Sequence, residues 1–185
     1  MVEFTPLPVG PFSAIIADPP WAYGDKLPGP GRGAAKHYAT LNLDEIMSLP
    51  VAEAAATDAH LYLWTTNAFM EQAFEVARAW GFTQKTILTW VKVKKYAERP
   101  YNEDEIRIGM GHYFRNVTEH VLFCTRGRLP PRNRSLPTAF MAPLGKHSEK
   151  PDEFYSLVRK LSPSPRLDLF ARRERKGFTT WGEGI

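Results

Sequence analysis

Five short apolar runs, rich in β-branched and aromatic residues, recur along the chain, and each is typical of a β-strand. They are Phe12–Ala17, His60–Trp64, Thr86–Val91, Glu119–Thr125 and Leu167–Phe170. Three stretches with helical character separate them: Asn42–Ala56, about Asn67–Trp80, and a helix that begins at Pro151 and ends before Pro163. Strands that alternate with helices predict an α/β fold with a mainly parallel sheet and helices on both of its faces.

The ends of these helices carry local signals. Asn42 and Glu45 have the spacing of a capping box, and Pro50 should break or kink the helix that follows. Gly81 is a typical helix stop, and Pro151 is a favoured first helical residue. We therefore expect the helix starts and stops to lie close to these positions.

Three long stretches have no regular pattern and are expected to be loops with a functional or mobile character. They are Tyr23–Thr40, Lys94–Asn116 and Gly127–His147. No repeat or interdomain linker interrupts the pattern. With 185 residues, 43% of them hydrophobic, we expect residues 1–185 to form a single domain.

Composition excludes several classes of protein. No apolar run approaches the roughly 20 residues that cross a membrane, and the front of the chain does not resemble a signal sequence. Cys124 is alone, so it forms no intramolecular disulfide, and its apolar neighbours favour a buried thiol over a catalytic one. The five histidines lack the spacing of a metal site, and there is no Walker A segment or nucleophile elbow. We expect a protein of the cytoplasm without a metal.

The positive charge lies in two clusters, although the net charge is only +4. Lys92, Lys94 and Lys95 precede Arg99, and the second cluster contains Arg126, Arg128, Arg132 and Arg134. Basic side chains near tyrosines suit a surface that follows a phosphate backbone. Solvated loops beside hydrophobic strands are the alternative interpretation. Lys92, Lys94, Lys95, Arg126 and Arg128 are the predicted nucleic-acid contacts.

The segment Asp18-Pro19-Pro20-Trp21 directly follows the first predicted strand. Neither proline can donate to a sheet ladder, so the acid is expected at the carboxyl end of the strand with a rigid turn after it, where ligands bind in open α/β sheets. A carboxylate and a neighbouring carbonyl could accept both N–H bonds of an exocyclic amine and stabilise the charge that develops on methylation. Trp21 could pack against an extruded base. A structural turn with a core tryptophan is the alternative.

With these residues the chain resembles the N6-adenine methyltransferases, a family that includes the catalytic subunit of the eukaryotic messenger-RNA adenosine methyltransferase and bacterial and phage DNA adenine methyltransferases. The resemblance depends on segments that occur in the family's order: Ala17–Trp21, His60–Asn67, Trp90–Lys92, Thr118–Leu122, His147–Glu153, Leu161–Pro163 and Leu167–Arg172. It implies a Rossmann-like, S-adenosylmethionine-dependent methyltransferase fold in permuted order, with the catalytic strand early and the cofactor strand late.

The resemblance also implies roles for individual residues. Asp18 would bind the target amine and the cofactor's amino group, and Lys150 would lie at the cofactor's methionine end. Phe170 and Arg172 would hold the adenosyl part, while Glu119 and Tyr38 would line the pocket and its covering loop. Each has a structural alternative: Lys150 as an ordinary lysine at a helix start, Phe170 as core, and Arg172 as part of a solvated run of charges.

The tail departs from the family, which commonly ends in Trp-Gly-Asn followed by Glu or Gln. Here Glu183 can accept hydrogen bonds from ribose hydroxyls but cannot donate as an amide does, and Gly184 has no side chain. The sequence thus predicts adenine-N6 methylation of nucleic acid, most readily DNA, in a bacterial or phage-infected cell. Methylation of RNA or of another exocyclic amine such as that of cytosine, a catalytically inactive nucleic-acid-binding or scaffold relative, and a homo- or heterodimer stay open.

Overall fold

The computed structural model describes residues 6–22, 40–111, 113–145 and 149–182. Within them lie seven strands: β1 (Phe12–Ala17), β2 (Ala55–Thr65), β3 (Thr83–Val93), β4 (Thr118–Arg126), β5 (Ala139–Pro143), β6 (Arg166–Leu169) and β7 (Thr179–Trp181). The α-helices in the same residues are α1 (Leu43–Ser48), α2 (Val51–Ala54), α3 (Met70–Ala79) and α4 (Asp152–Leu161). Short 3-10 helices occupy Asn67–Phe69 and Glu103–Glu105.

The strands form one sheet in the order β5-β3-β4-β2-β1-β6-β7. Strand β4 runs antiparallel to β2 and β3, and the other neighbouring pairs are parallel. The early strand β1 therefore lies beside the late strand β6, with Ile16 opposite Asp168. The predicted α/β fold with a mainly parallel sheet is confirmed.

Helices cover both faces of the sheet, as predicted. Strand β1 shows why: Ile15 and Ala17 lie in the hydrophobic cluster with α3, whereas Ala14 and Ile16 lie in the cluster with α4. A strand buried on both faces has no alternation of polar and apolar residues. This explains the continuous apolar run before Asp18.

The capping and breaking signals are confirmed in α1 and α2. The Asn42 side chain accepts the Glu45 N–H at 2.9 Å, and the Glu45 carboxylate accepts the Asn42 N–H at 2.8 Å. Pro50 separates α1 from α2. Pro151, predicted as the first helical residue of the last helix, instead lies one position earlier as the N-cap of α4.

Other boundaries differ from the prediction. Strand β5 lies inside Gly127–His147, which was expected to be irregular, and β7 was not predicted at all. The strand expected over Leu167–Phe170 ends at Leu169, because Phe170 has a φ of +59°. The expected loop Lys94–Asn116 contains the 3-10 helix Glu103–Glu105. The stretch 23–39 lies outside the described residues.

Two further findings bear on the class of protein. Among the described residues, no helix is long and apolar enough to cross a membrane. Cys124 is fully buried in β4, and burial raises the pKa of its thiol to about 12, as expected for a structural cysteine.

Candidate active site

Asp18 lies directly after β1, at the carboxyl end of the parallel strands. Its backbone N–H donates to the Leu169 carbonyl at 3.4 Å, which joins the ends of β1 and β6. The carbonyls of Pro19 and Pro20 accept the N–H groups of Trp21 and Leu41, at 2.9 and 3.0 Å. Because a carbonyl oxygen has two lone pairs, each can still accept a second donor. The turn after Asp18 is thus fixed on both sides.

Trp21 is packed into the core beside the site. It is 7% exposed, its indole N–H donates to the Trp64 carbonyl at 3.2 Å, and its ring stacks on Phe69 with centroids 5.6 Å apart. This packing fits a structural tryptophan that supports the turn. The expected contact of Trp21 with a base stays a prediction.

The acid of this turn belongs to a chain of ion pairs. The Lys150 ammonium lies 3.0 Å from a carboxylate oxygen of Asp18 and 3.1 Å from one of Glu119. The other oxygen of Glu119 lies 2.6 Å from the Lys92 ammonium. The four side chains are 11–20% exposed. Three predicted site residues, Lys92, Glu119 and Lys150, are therefore brought together with Asp18.

Two tryptophans border these cations. The Lys150 ammonium lies 5.0 Å from the centroid of Trp64, and that of Lys92 lies 5.4 Å from the centroid of Trp90. A ring face attracts a cation electrostatically, more strongly when the cation is shielded from water. The His60–Asn67 segment contained Trp64, but its sequence gave no reason to connect it with Lys150, more than 80 positions away.

Burial and these ion pairs set the protonation of the site. Burial raises the pKa of the Asp18 carboxyl, and Lys150 opposes this increase only in part. Burial would also raise the pKa of Glu119, but Lys150 and Lys92 outweigh it and lower that pKa. Burial would lower the pKa of Lys150, yet the two carboxylates raise it. Lys150 thus stays charged, and of the two carboxyls that it contacts, Asp18 is more easily protonated than Glu119.

The turn after β6 approaches Asp18 from the neighbouring strand. Phe170 adopts the left-handed backbone region, which is uncommon for a bulky residue, and its ring contacts Trp181 edge-on at 5.5 Å. A Cβ on Gly182 would collide with the backbone of Ala171, so glycine permits this close approach. The charge of Arg172 lowers the pKa of Asp18, which places that guanidinium in the electrostatic surroundings of the site.

The remaining predicted residues lie elsewhere or outside the description. Lys94 and Lys95 follow β3 at the same edge of the sheet as Asp18, and both are exposed. Arg126 and Arg128 lie at the opposite edge, where Arg126 donates to the Ala52 carbonyl at 2.6 Å. The structure does not bring these two arginines to the site. Tyr38 and Glu183 lie outside the described residues.

Two charged residues beside the site were not predicted. Asp168 is buried in β6, and the Arg175 guanidinium donates to the Lys150 carbonyl at 3.2 Å. An acid in the middle of an apolar strand was the available signal for Asp168. No group of three or more His, Cys, Asp or Glu side chains in the described ranges could hold a metal ion.

The sheet is that of a Rossmann-like α/β fold, with an acid at the carboxyl end of a central strand. Comparison with known proteins is more specific, because the MT-A70 family profile matches residues 12–184. The chain belongs to the MT-A70 family. The resemblance predicted from the motifs, and with it the methyltransferase class, is confirmed.

Several named relatives are similar to this chain. The type II methyltransferase M.MunI of Mycoplasma sp is 31% identical over 199 residues, covering 97% of this chain and 80% of the relative. The probable N(6)-adenosine-methyltransferase MT-A70-like of Oryza sativa subsp. japonica is 35% identical over 167 residues. The N(6)-adenosine-methyltransferase catalytic subunit METTL3 of Homo sapiens is 32% identical over 169 residues. The chain covers only 21% and 26% of these two eukaryotic relatives.

Proposed function

We propose that this protein transfers a methyl group from S-adenosylmethionine to the exocyclic N6 amine of adenine in nucleic acid. The observation that carries the proposal is the rigid turn Asp18-Pro19-Pro20-Trp21 at the end of β1, with Asp18 tied to Lys150. The turn presents an acceptor to an amine, and the lysine connects that acceptor to the start of α4.

The acceptor chemistry follows from the turn. The lone pair of an exocyclic amine is delocalised into the ring, so the nitrogen is a weak nucleophile. The Asp18 carboxylate and the second lone pair of a proline carbonyl would accept its two N–H bonds, favour a tetrahedral nitrogen and stabilise the positive charge that develops there. The methylated amine is acidic enough to release its proton to water, so the site requires no strong base.

The residues present fit the cofactor. S-adenosylmethionine supplies an activated methyl group when bound. The first turn of α4 has no side-chain cap, and only its Phe154 N–H donates to the Pro151 carbonyl, so the N–H groups of Asp152 and Glu153 are available to a carboxylate next to Lys150. Asp18 would accept from the cofactor's amino group, Phe170 and Arg172 would contact the adenosyl part, and Glu183 is assigned to the ribose from the sequence alone.

We infer DNA as the preferred polymer. The relative matched over 80% of its length is a type II methyltransferase, the term used for DNA modification enzymes, whereas the adenosine methyltransferases are matched over about a quarter or less. Lys92, Lys94 and Lys95 at the Asp18 edge of the sheet would contact its phosphates. A cytoplasmic location belongs to the same proposal, and whether the protein acts as a dimer stays open.

Incubation with labelled S-adenosylmethionine and separate pools of single- and double-stranded DNA and RNA, followed by nucleoside analysis, tests the proposal. We expect label in N6-methyladenine from DNA. Asp18→Ala should reduce turnover about a hundredfold or more while the protein stays folded. Asp44→Ala removes an exposed acid in α1 and should leave turnover unchanged. Label in RNA alone would mean that the substrate is RNA and not DNA. Comparable turnover by folded Asp18→Ala would contradict the mechanism.

A further inference from the structure

Asp168 is a buried acid with an open hydrogen-bonding position. Its side chain lies in the middle of β6, the residue is 2% exposed, and its Oδ2 has no hydrogen-bond partner in the described residues. The nearest cation recorded for that oxygen is the Arg175 guanidinium, 3.6 Å away. Burial raises the pKa of the carboxyl to about 7. Tyr155 donates a hydrogen bond to this carboxyl, so Oδ2 alone is left without one, and a buried acceptor in that state calls for an explanation.

Arg175 has the complementary feature. Its side chain is 7% exposed, and its guanidinium stacks on the Tyr155 ring at 3.7 Å from the centroid. One nitrogen donates to the Lys150 carbonyl, but Nε has no hydrogen-bond partner, since the closest recorded carboxylate oxygen, on Asp152, is 3.6 Å away. An unused acceptor and an unused donor of opposite charge therefore lie side by side.

Both groups border the ion pairs of the active site. Asp168 pairs with Ile16 on β1, and side chains two residues apart share a face, so Asp168 lies on the same face as Asp18. Strand spacing and rise place their backbones about 8 Å apart diagonally. Arg175 holds the main chain of Lys150, whose ammonium contacts Asp18. The pair thus lies one contact away from the acceptor carboxylate and from the start of α4.

We propose that Asp168 and Arg175 recognise the amino-acid end of the methyl donor, Asp168 accepting from its ammonium and Arg175 donating to its carboxylate. This inference rests on the function proposed above. The α-amino acid group is a zwitterion, so it supplies both missing partners at once, with Lys150 and the first turn of α4 completing the carboxylate side. An adenosine thioether without that group leaves Asp168 Oδ2 and Arg175 Nε without hydrogen-bond partners, and the site therefore discriminates against it.

Isothermal titration calorimetry with two stable ligands tests this assignment. S-adenosylhomocysteine carries the amino-acid group, and 5′-methylthioadenosine lacks it. Asp168→Asn and Arg175→Gln each remove one charge while keeping the side chain polar. We expect each to weaken S-adenosylhomocysteine binding about tenfold or more, with 5′-methylthioadenosine affinity changed less than about twofold. Arg173→Gln removes a half-exposed cation from the same segment and is the matched control.

The outcomes separate recognition from structural support. Selective loss of S-adenosylhomocysteine affinity in both variants, with Arg173→Gln unchanged, supports the proposal. Equal losses for the two ligands, or no loss, overturn it, because the pair would then only hold β6 against its neighbours. A thermal melt of each variant shows whether it is folded, and the second variant replaces one that is not. Failure of the unmodified protein to bind S-adenosylhomocysteine would contradict the proposed function instead.

Discussion

At the scale of single residues, the protonation of Asp18 should control activity in acid. Protonation removes the negative charge that stabilises the positive charge developing on the amine, and burial raises the pKa of this carboxyl. We expect kcat/KM, which reports the free enzyme, to fall with decreasing pH at an apparent pKa above the ordinary aspartate value of about 3.9. A rate profile from pH 4 to 8 measures this.

Two neighbours of Asp18 should shift the acidic limb of this pH profile, the range in which kcat/KM falls with decreasing pH, in opposite directions. Lys150 lowers the pKa of Asp18 and Glu119 raises it, so Lys150→Gln should shift the limb to higher pH and Glu119→Gln to lower pH. Lys85→Gln, on the exposed part of β3, should leave it in place. Equal positions in all four proteins would mean that another group controls the limb.

At the scale of elements, the capping box of α1 should contribute more to stability than the second capping box, which lies in the Lys94–Asn116 loop. Asn42 caps a helix whose Ile46 is buried and accepts the Trp80 indole N–H at 3.1 Å, while Asn102 caps a 3-10 helix that buries no residue. Asn42→Ala should lower the free energy of unfolding by about 1 kcal/mol. Asn102→Ala should lower it by less than about 0.5 kcal/mol. Urea unfolding of both variants measures the difference; equal losses would contradict it.

Elements were predictable where the pattern is local. We could predict the strands buried on both faces, the approximate helix starts and the effect of Pro50 from the sequence, because each depends on neighbouring residues. Strands β5 and β7 were not predicted because they are the two outermost strands of the sheet and are short. Pro143 in β5 even argues against a strand, although proline is tolerated at a sheet edge. Pairing with β3 and β6, which the sequence does not encode locally, determines these elements.

Strand direction explains the misplaced arginines. If β4 were parallel, its last residue Arg126 and the following Arg128 would lie at the ligand-binding end of the sheet. Because β4 is antiparallel to β2, its first residues, including Glu119, reach that edge instead. The sequence motifs identified the carboxylate and the lysines of the site. The contact between Asp168 and Arg175 could not be predicted in this way, because it depends on the packing of Arg175 against Tyr155.

At the scale of the whole molecule, nucleic acid should bind at only one end of the sheet, the end where Asp18 lies. Lys94 and Lys95 lie at the Asp18 edge of the sheet, and Arg128 and Arg132 follow the end of β4 at the other. Reversing the charges of the two lysines should weaken DNA binding and reduce its salt dependence by about one unit of slope per lost phosphate contact. Reversing the two arginines should change neither quantity. Fluorescence anisotropy over a salt series measures both; equal effects would indicate DNA contacts at both edges.

The placement of β1 between β2 and β6 has a consequence for biosynthesis. One neighbour begins at residue 55, but the other begins only at residue 166, so β1 keeps an open edge until β6 has been synthesised. Such distant pairing slows folding, and an apolar open edge favours aggregation. A fragment of residues 1–161 should therefore be insoluble on expression, and co-expressed residues 162–185 should restore solubility. A soluble, folded fragment would show that β1 is protected before its last partner is synthesised.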